Sequence, residues 1–292
     1  MSDLRKGGFT LVELLVALVL LGIVTAGIYR VLVNNQRTYQ AQTQRVDLQQ
    51  NIRAAATILP AEFRELNAAD GDIKGMWADS IQIRSMRQFG VVCVVPVLGG
   101  ALTNLTMRLR NQFLMGSAGF VVGDSMLVFH EGNENTRNDD GWALARVTAV
   151  NPASTCTPGD GTSATQLTVD FAAVVAPVTN VAGAIPQGAT VRGFQIVTYK
   201  IYQAADGLWY LGVRAPAGGL QPLIGPLNGN TGFRLNYYDV NGAVTAVAAN
   251  VAQIELIVRG RTAQAIQRPT GGRVTPVDSI ITRVALRNNR RF

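Results

Sequence analysis

At 292 residues the chain is long enough for a membrane segment plus one or two modest domains, and its 48% apolar and 15% charged residues exclude a disordered protein. The net charge of +7, mostly arginine, permits binding to nucleic acid or to an anionic surface without requiring either. Two cysteines and one histidine exclude a disulfide-dense scaffold and leave zinc sites, histidine-based metal sites and most catalytic triads poorly supplied.

The first eight residues, MSDLRKGG, carry Arg5 and Lys6 and end on Gly7-Gly8. From Phe9 to Val33 the chain is almost wholly apolar, with Glu13 and Arg30 as its charged exceptions. About 20 apolar residues span a bilayer as a helix, so residues 9–33 are expected to cross a membrane. The basic head then stays cytoplasmic and the remainder is exported. An ordinary secretory signal fits less well, because the run exceeds a typical signal core and no A-x-A-like site follows. A simple anchor does not explain Glu13. A carboxylate at mid-bilayer costs roughly 2.5–3.5 kcal/mol on insertion scales, and less near an end, so such charges usually have a partner or a task.

Residues 6–18, KGGFTLVELLVAL, resemble the type IV prepilin signal: a short basic leader, a glycine, then Phe-Thr-Leu-x-Glu opening a long apolar helix. The resemblance implies that a prepilin peptidase on the cytoplasmic face cuts between Gly8 and Phe9 and methylates the new amino terminus. It also implies that Glu13 is an assembly residue. In a filament its carboxylate would meet the ammonium of Phe9 of the partner subunit, offsetting the burial of both charges, the alternative being its own terminal ammonium one turn away. One departure is that many pilins carry a proline midway along this helix. None precedes Pro60 here, leaving Gly22 and Gly27 as the soft points.

Residues 34–67 are expected to continue the helix on the periplasmic side. Leu48, Ile52, Ala55, Leu59, Phe63 and Leu66 recur at spacings of three and four, an apolar stripe that should pack on a sheet. Arg30, Arg37, Arg45 and Arg53 recur every seven or eight residues on another face, suited to lipid headgroups, acidic neighbouring helices or plain solvent. Pro60 is expected to kink or break the helix.

Residues 68–292 read as a strand-rich head. DSIQIRS, VVCVVPV, ALTNLTMRL, SMLVFH, WALARVTAV and TQLTVDF are expected strands, with Pro96 marking an edge or a bulge. EGNENTRNDDG and NPASTCTPGDGTS are loops by composition. VRGFQIVTYKIYQ and LWYLGVR flank Asp206-Gly207 as a hairpin, and FRLNYYDV and AVTAV flank Asn241-Gly242 as another. VAQIELIVRG and SIITRVALR alternate, joined by a polar connection over residues 262–278. About 88–190 reads as an inserted subdomain.

The closing strands and the Tyr-rich hairpin are similar to PilW-type minor pilins of the type IV pilus, and the layout is shared with J-type minor pseudopilins of type II secretion. The fold class implied is α+β and pilin-like: a long N-terminal transmembrane helix packed on an antiparallel β-rich head. The function implied is a minor pilin that primes pilus assembly, not an enzyme, with no cofactor and no metal. Its partners would be the prepilin peptidase, other minor and major pilins, and the inner membrane. Its location would be the inner membrane, single-pass, and the pilus after assembly. A type II secretion pseudopilin and a DNA-uptake component are the alternatives.

Among the remaining residues, Cys93 and Cys156 would form a disulfide in an oxidising compartment, or stand as two separate buried thiols. His130 beside Glu131, Glu134, Asp139 and Asp140 offers oxygen ligands at a spacing that matches no calcium loop, so a solvated loop is expected. Trp209, Tyr210, Tyr237 and Tyr238 would pack on the sheet, the alternative being stacking on single-stranded DNA.

Overall fold

The computed structural model describes residues 10–98, 105–116, 119–131, 140–157, 161–171, 185–215, 218–268 and 271–287. One helix, α1 (Leu11–Arg64), opens the fold. At 1.5 Å per residue its 54 residues extend about 80 Å. The strands are β1 (Ile73–Met76), β2 (Ser80–Leu98), β3 (Leu105–Arg110), β4 (Ser125–His130), β5 (Gly141–Thr155), β6 (Ser163–Asp170), β7 (Thr190–Gln203), β8 (Trp209–Arg214), β9 (Gln221–Leu227), β10 (Phe233–Tyr238), β11 (Gln253–Arg261), β12 (Ile266–Gln267), β13 (Arg273–Val274) and β14 (Val277–Ala285). A long apolar N-terminal helix on an antiparallel β head is the α+β, pilin-like architecture.

β2 and β7 are the spine. They pair antiparallel from Ser80 with Lys200 to Val91 with Thr190. At one end β1 joins β2 and β8 joins β7; β9 and β11 follow, with β10 and β14 on the two edges of β11. At the other end β3 joins β2 and β4 joins β7, and β6 and β5 connect them. The order β2-β3-β6-β5-β4-β7 therefore closes into a ring of six strands, each hydrogen-bonded on both edges, which removes exposed sheet edges there.

Each end has its own core. All six ring strands contribute to one cluster, including Val92, Met107, Met126, Ala145, Leu167 and Val191. The other lies between α1 and the open sheet and joins Ala55, Leu59 and Phe63 to Ile83, Leu211, Leu256 and Val284. Cys93 and Cys156 are joined by a disulfide with Cα atoms 5.6 Å apart, beside buried Ala164.

Several expectations need correction. Pro60 does not end α1; it is buried within it, and the helix runs on to Arg64. Proline forfeits one hydrogen bond to the carbonyl four residues back, but burial of Leu59 and Phe63 on either side holds the last turn in place. AVTAV is not a strand partner of β10. Only Tyr238 and Val244 bridge, and β10 pairs with β11 along its length. Val244 and Val247 stay largely exposed, so extending that hairpin would bury little. The loop expected over residues 151–163 is shorter, because β5 continues to Thr155 and β6 starts at Ser163. β1, β9 and the small β12–β13 hairpin were not anticipated. β9 carries Pro222 and Pro226, which argue against a strand from sequence. The Asp206-Gly207 hairpin does form, with Gly207 at φ 77°.

Candidate functional site

The helix α1 divides into two functional halves. Its first half starts at the cap residue Thr10, whose hydroxyl accepts a hydrogen bond from the N–H of Glu13 at 3.3 Å. Thr-x-x-Glu is the sequence of a capping box, and an acid in the first turn complements the helix dipole. Leu11 to Leu32 are all exposed, including Leu14, Leu18, Leu21 and Ile28. This is the one helix among the described residues long and apolar enough to cross a membrane. Glu13 is exposed on it.

The second half is tied to the head. Leu48, Ile52, Ala55, Leu59 and Phe63 turn inward, matching the 3.6-residue period. Gln44 accepts the N–H of Gln264 at 3.3 Å, and Asn51 donates to the Gly225 carbonyl at 2.7 Å. Glu62 accepts from the Ser85 hydroxyl and from Arg87 at 2.8 Å, fastening the helix to β2. Phe63 meets Tyr199 edge-on at 6.2 Å, and burial, followed by the Glu62 charge, pushes the Tyr199 hydroxyl up to about 12. The N–H of Arg287 donates to the Arg64 carbonyl at 2.8 Å, so the chain beyond β14 returns to the helix end. The head thus grips one half of α1 and leaves the other half bare.

Sequence reasoning had named Glu13 and the apolar stripe. It missed Gln44, Asn51 and Glu62, for which no local signal existed: each is an ordinary polar residue on a polar helix, and its partner lies far along the chain. The Thr10 cap was readable from Thr-x-x-Glu. Gly8 and Phe9 lie outside the described residues, as do Glu134 and Asp139. Glu131 and Asp140 are described, and His130 pairs with Gly141 across β4 and β5. Among the described residues no three His, Cys, Asp or Glu side chains come together as a ligand set.

The aromatic residues are engaged by the fold. Tyr237 is buried and donates to the Trp77 carbonyl at 3.0 Å; burial pushes its hydroxyl far up. The Arg283 guanidinium lies over the Tyr238 ring at 4.4 Å. Tyr210 donates to Asp206 at 2.8 Å.

Residues 3–29 match the family model of the prokaryotic N-terminal methylation motif. The chain carries a prepilin-type signal. That signal supports a type IV pilin or pseudopilin, a substrate of prepilin peptidase that associates with other pilins, and it agrees with membrane anchoring by the apolar helix. No curated protein and no solved structure matches the chain.

Proposed function

We propose that this protein is a minor pilin of the PilW type that primes assembly of a type IV pilus. It sits in the inner membrane by the first half of α1, with its head in the periplasm. Prepilin peptidase cuts between Gly8 and Phe9 and methylates Phe9. The protein acts as a structural subunit rather than an enzyme. The observation that carries this reading is the match over residues 3–29 leading into a helix half that the head leaves wholly uncovered. A bare apolar helix needs lipid before assembly and neighbouring helices after it.

Orientation rests on the leader motif rather than on charge counting. Arg5 and Lys6 stand on one side of the span, and Arg37 and Arg45 on the other. The peptidase acts from the cytoplasmic face, so a leader that it cuts would lie on that face, which supports this orientation.

The test is intact mass and N-terminal sequencing of protein from cells with and without prepilin peptidase. The expected product begins at N-methylated Phe9. Loss of the leader removes Asp3, Arg5 and Lys6, a net +1, so the formal charge falls from +7 to +6. A chain still beginning at Met1 in peptidase-positive cells would overturn the reading. Deletion separates the pilus reading from a type II secretion pseudopilin, by loss of twitching against loss of secretion. A DNA-uptake role predicts salt-dependent DNA binding by the intact protein.

A further inference from the structure

We infer that the β12–β13 hairpin and the helix beneath it form a basic collar that binds the anionic phospholipid headgroups of the leaflet from which α1 emerges. The proposal rests on the membrane-spanning reading above. Among the described residues, the hairpin meets α1 as far down as Arg37. A groove of about 180 Å³ between them is lined by Arg37, Gln40 and Gln44 of the helix and by Ile266, Gln267 and Arg273 of the hairpin. Arg37 stands four residues beyond Val33, the end of the apolar run, which is about 6 Å along the helix axis. The polar layer of a bilayer is roughly 5–7 Å thick on each side, and arginine stems snorkel over several ångströms. Arg37 and its hairpin neighbour Arg273 therefore lie within reach of lipid phosphates.

The charge pattern is one-sided. Residues 14–46 contain Arg30, Arg37 and Arg45 and no acid; residues 262–277 contain Arg268 and Arg273 and no acid. This region carries five arginines and no Asp or Glu, hence +5, against +7 for the whole chain. Arg30, Arg37, Arg268 and Arg273 are exposed, and none of them makes an ion pair among the described residues. Arg30 and Arg37 are seven residues apart, so they share a helix face, the face the hairpin covers at Gln44. The first acids met further from the span are Asp47 on the helix and Asp278 at the start of β14. Arginine forks suit phosphate oxygens, and an anionic bilayer surface adds a field that neutral lipid lacks.

The consequence is postural. A collar held to the leaflet fixes the height and tilt of the head over the membrane, while the helix half inside the bilayer awaits its partners.

The experiment uses the full chain in vesicles, with Cys93 and Cys156 oxidised and a donor dye on Gln267→Cys. The acceptor is a dye on a lipid headgroup. Energy transfer is expected to be higher in an equal mixture of phosphatidylcholine and phosphatidylglycerol than in phosphatidylcholine alone, and molar salt should erase the difference. Arg268→Gln with Arg273→Gln should lower the ratio of apposed to lifted hairpin by about fivefold for each arginine replaced. Transfer that is equal in both lipids and unmoved by the substitutions overturns the collar. Loss of the lipid dependence to inorganic phosphate, but not to chloride at matched ionic strength, overturns it in favour of a soluble-anion site. Transfer that needs an added acidic protein overturns it in favour of a protein partner. Alkaline flotation separates this from failure of the membrane reading: a protein that floats with neither vesicle has no spanning helix, and the collar falls with it.

Discussion

Leu48 lies over Gly260 so closely that a Cβ on the glycine would stand 2.7 Å from Leu48 Cδ1, with Ile52 Cγ1 at 3.2 Å. The absence of a side chain lets α1 rest against β11 where helix and sheet first meet. Gly260→Ala should therefore destabilise the protein by about 1 kcal/mol, the low end for overpacking, because the atoms it meets are side-chain ends that can shift. Leu48→Ala alone should cost about 2–5 kcal/mol through its cavity. The double variant should lose less than the two together, because each change relieves the other. Thermal unfolding of the full chain in detergent reads all three, and strict additivity would show that Leu48 is not what crowds position 260.

The Cys93–Cys156 bridge closes a sequence separation of 63 and ties β2 to the end of β5, at the rim of the six-stranded ring. In the chain-entropy model a loop of that length contributes about 4 kcal/mol. Replacing both cysteines by Ser should lower stability by that order and loosen the ring before the α1 core. Thiol alkylation of exported protein, denatured without reductant, should label neither cysteine. Full labelling of both would refute the bridge, and hydrogen exchange on the double variant locates the loosened region.

Glu255 supplies a pH dependence with a definite sign. Its carboxylate accepts from Asn236 at 2.8 Å, from Arg283 at 2.8 Å and from the Tyr238 hydroxyl at 3.2 Å. The Asn236 bond first, then Arg283, hold it below the usual carboxylate range. A depressed folded-state value means that this stabilisation is present above the ordinary carboxylate value. It is lost as pH falls through the lowered one. Wild type should exceed Glu255→Gln in Tm at neutral pH, and the gap should close as pH falls from about 5 toward 3. Arg283 is exposed, so salt screens its share and the gap amounts to a few degrees at most. A gap constant across that range would exclude Glu255 as the titrating group.

How much of this was legible in the sequence depended on where each residue finds its partner. The apolar stripe from Leu48 to Phe63 announced the buried face of α1 because helix periodicity is local. The Asp206-Gly207 hairpin was equally plain, since its turn and its strands are adjacent. By contrast, the pairing of β3 with β6 and of β4 with β7 joins segments separated by tens of residues, and no short window reports it. The break that Pro60 suggested does not occur, because proline's local preference was outweighed by tertiary burial. AVTAV misled because alternation suggested a strand where the fold offers nothing to bury. At the candidate site Glu13 stood out as a carboxylate in an apolar run, whereas Glu62, an ordinary acid on a polar helix, could not be told from a solvated one until Ser85 and Arg87 were brought to it.

Glu13 should matter for assembly and little for insertion, processing or the start of the helix. It is exposed on a helix half that the head does not touch; once the leader is cut away, the nearest basic side chain along the chain is Arg30, 17 positions on, and the nearest positive group is the chain's own amino terminus at Phe9, four positions back. Its local role is met through the backbone: the N–H of Glu13, not its carboxylate, bonds Thr10. Glu13→Gln keeps that bond, and glutamine is also accepted at the third position of a capping box, so the helix start survives. A neutral amide enters lipid at lower cost than a carboxylate, so insertion should be at least as efficient. Cleavage should persist because Gly8 and the basic leader are intact. Recovery of partner pilins should fall by roughly tenfold or more, since a partner's terminal ammonium would be left buried without its counter-charge. Thr10→Ala serves as the contrast: it removes the cap, at about 1 kcal/mol, and leaves the charge. The measurement is co-purification of pilins with each variant from membranes, beside intact mass for processing. If Glu13→Gln recovers partners as well as wild type while Thr10→Ala does not, then residue 13 serves the helix start rather than docking, and the charge within the apolar run is a dipole partner and nothing more.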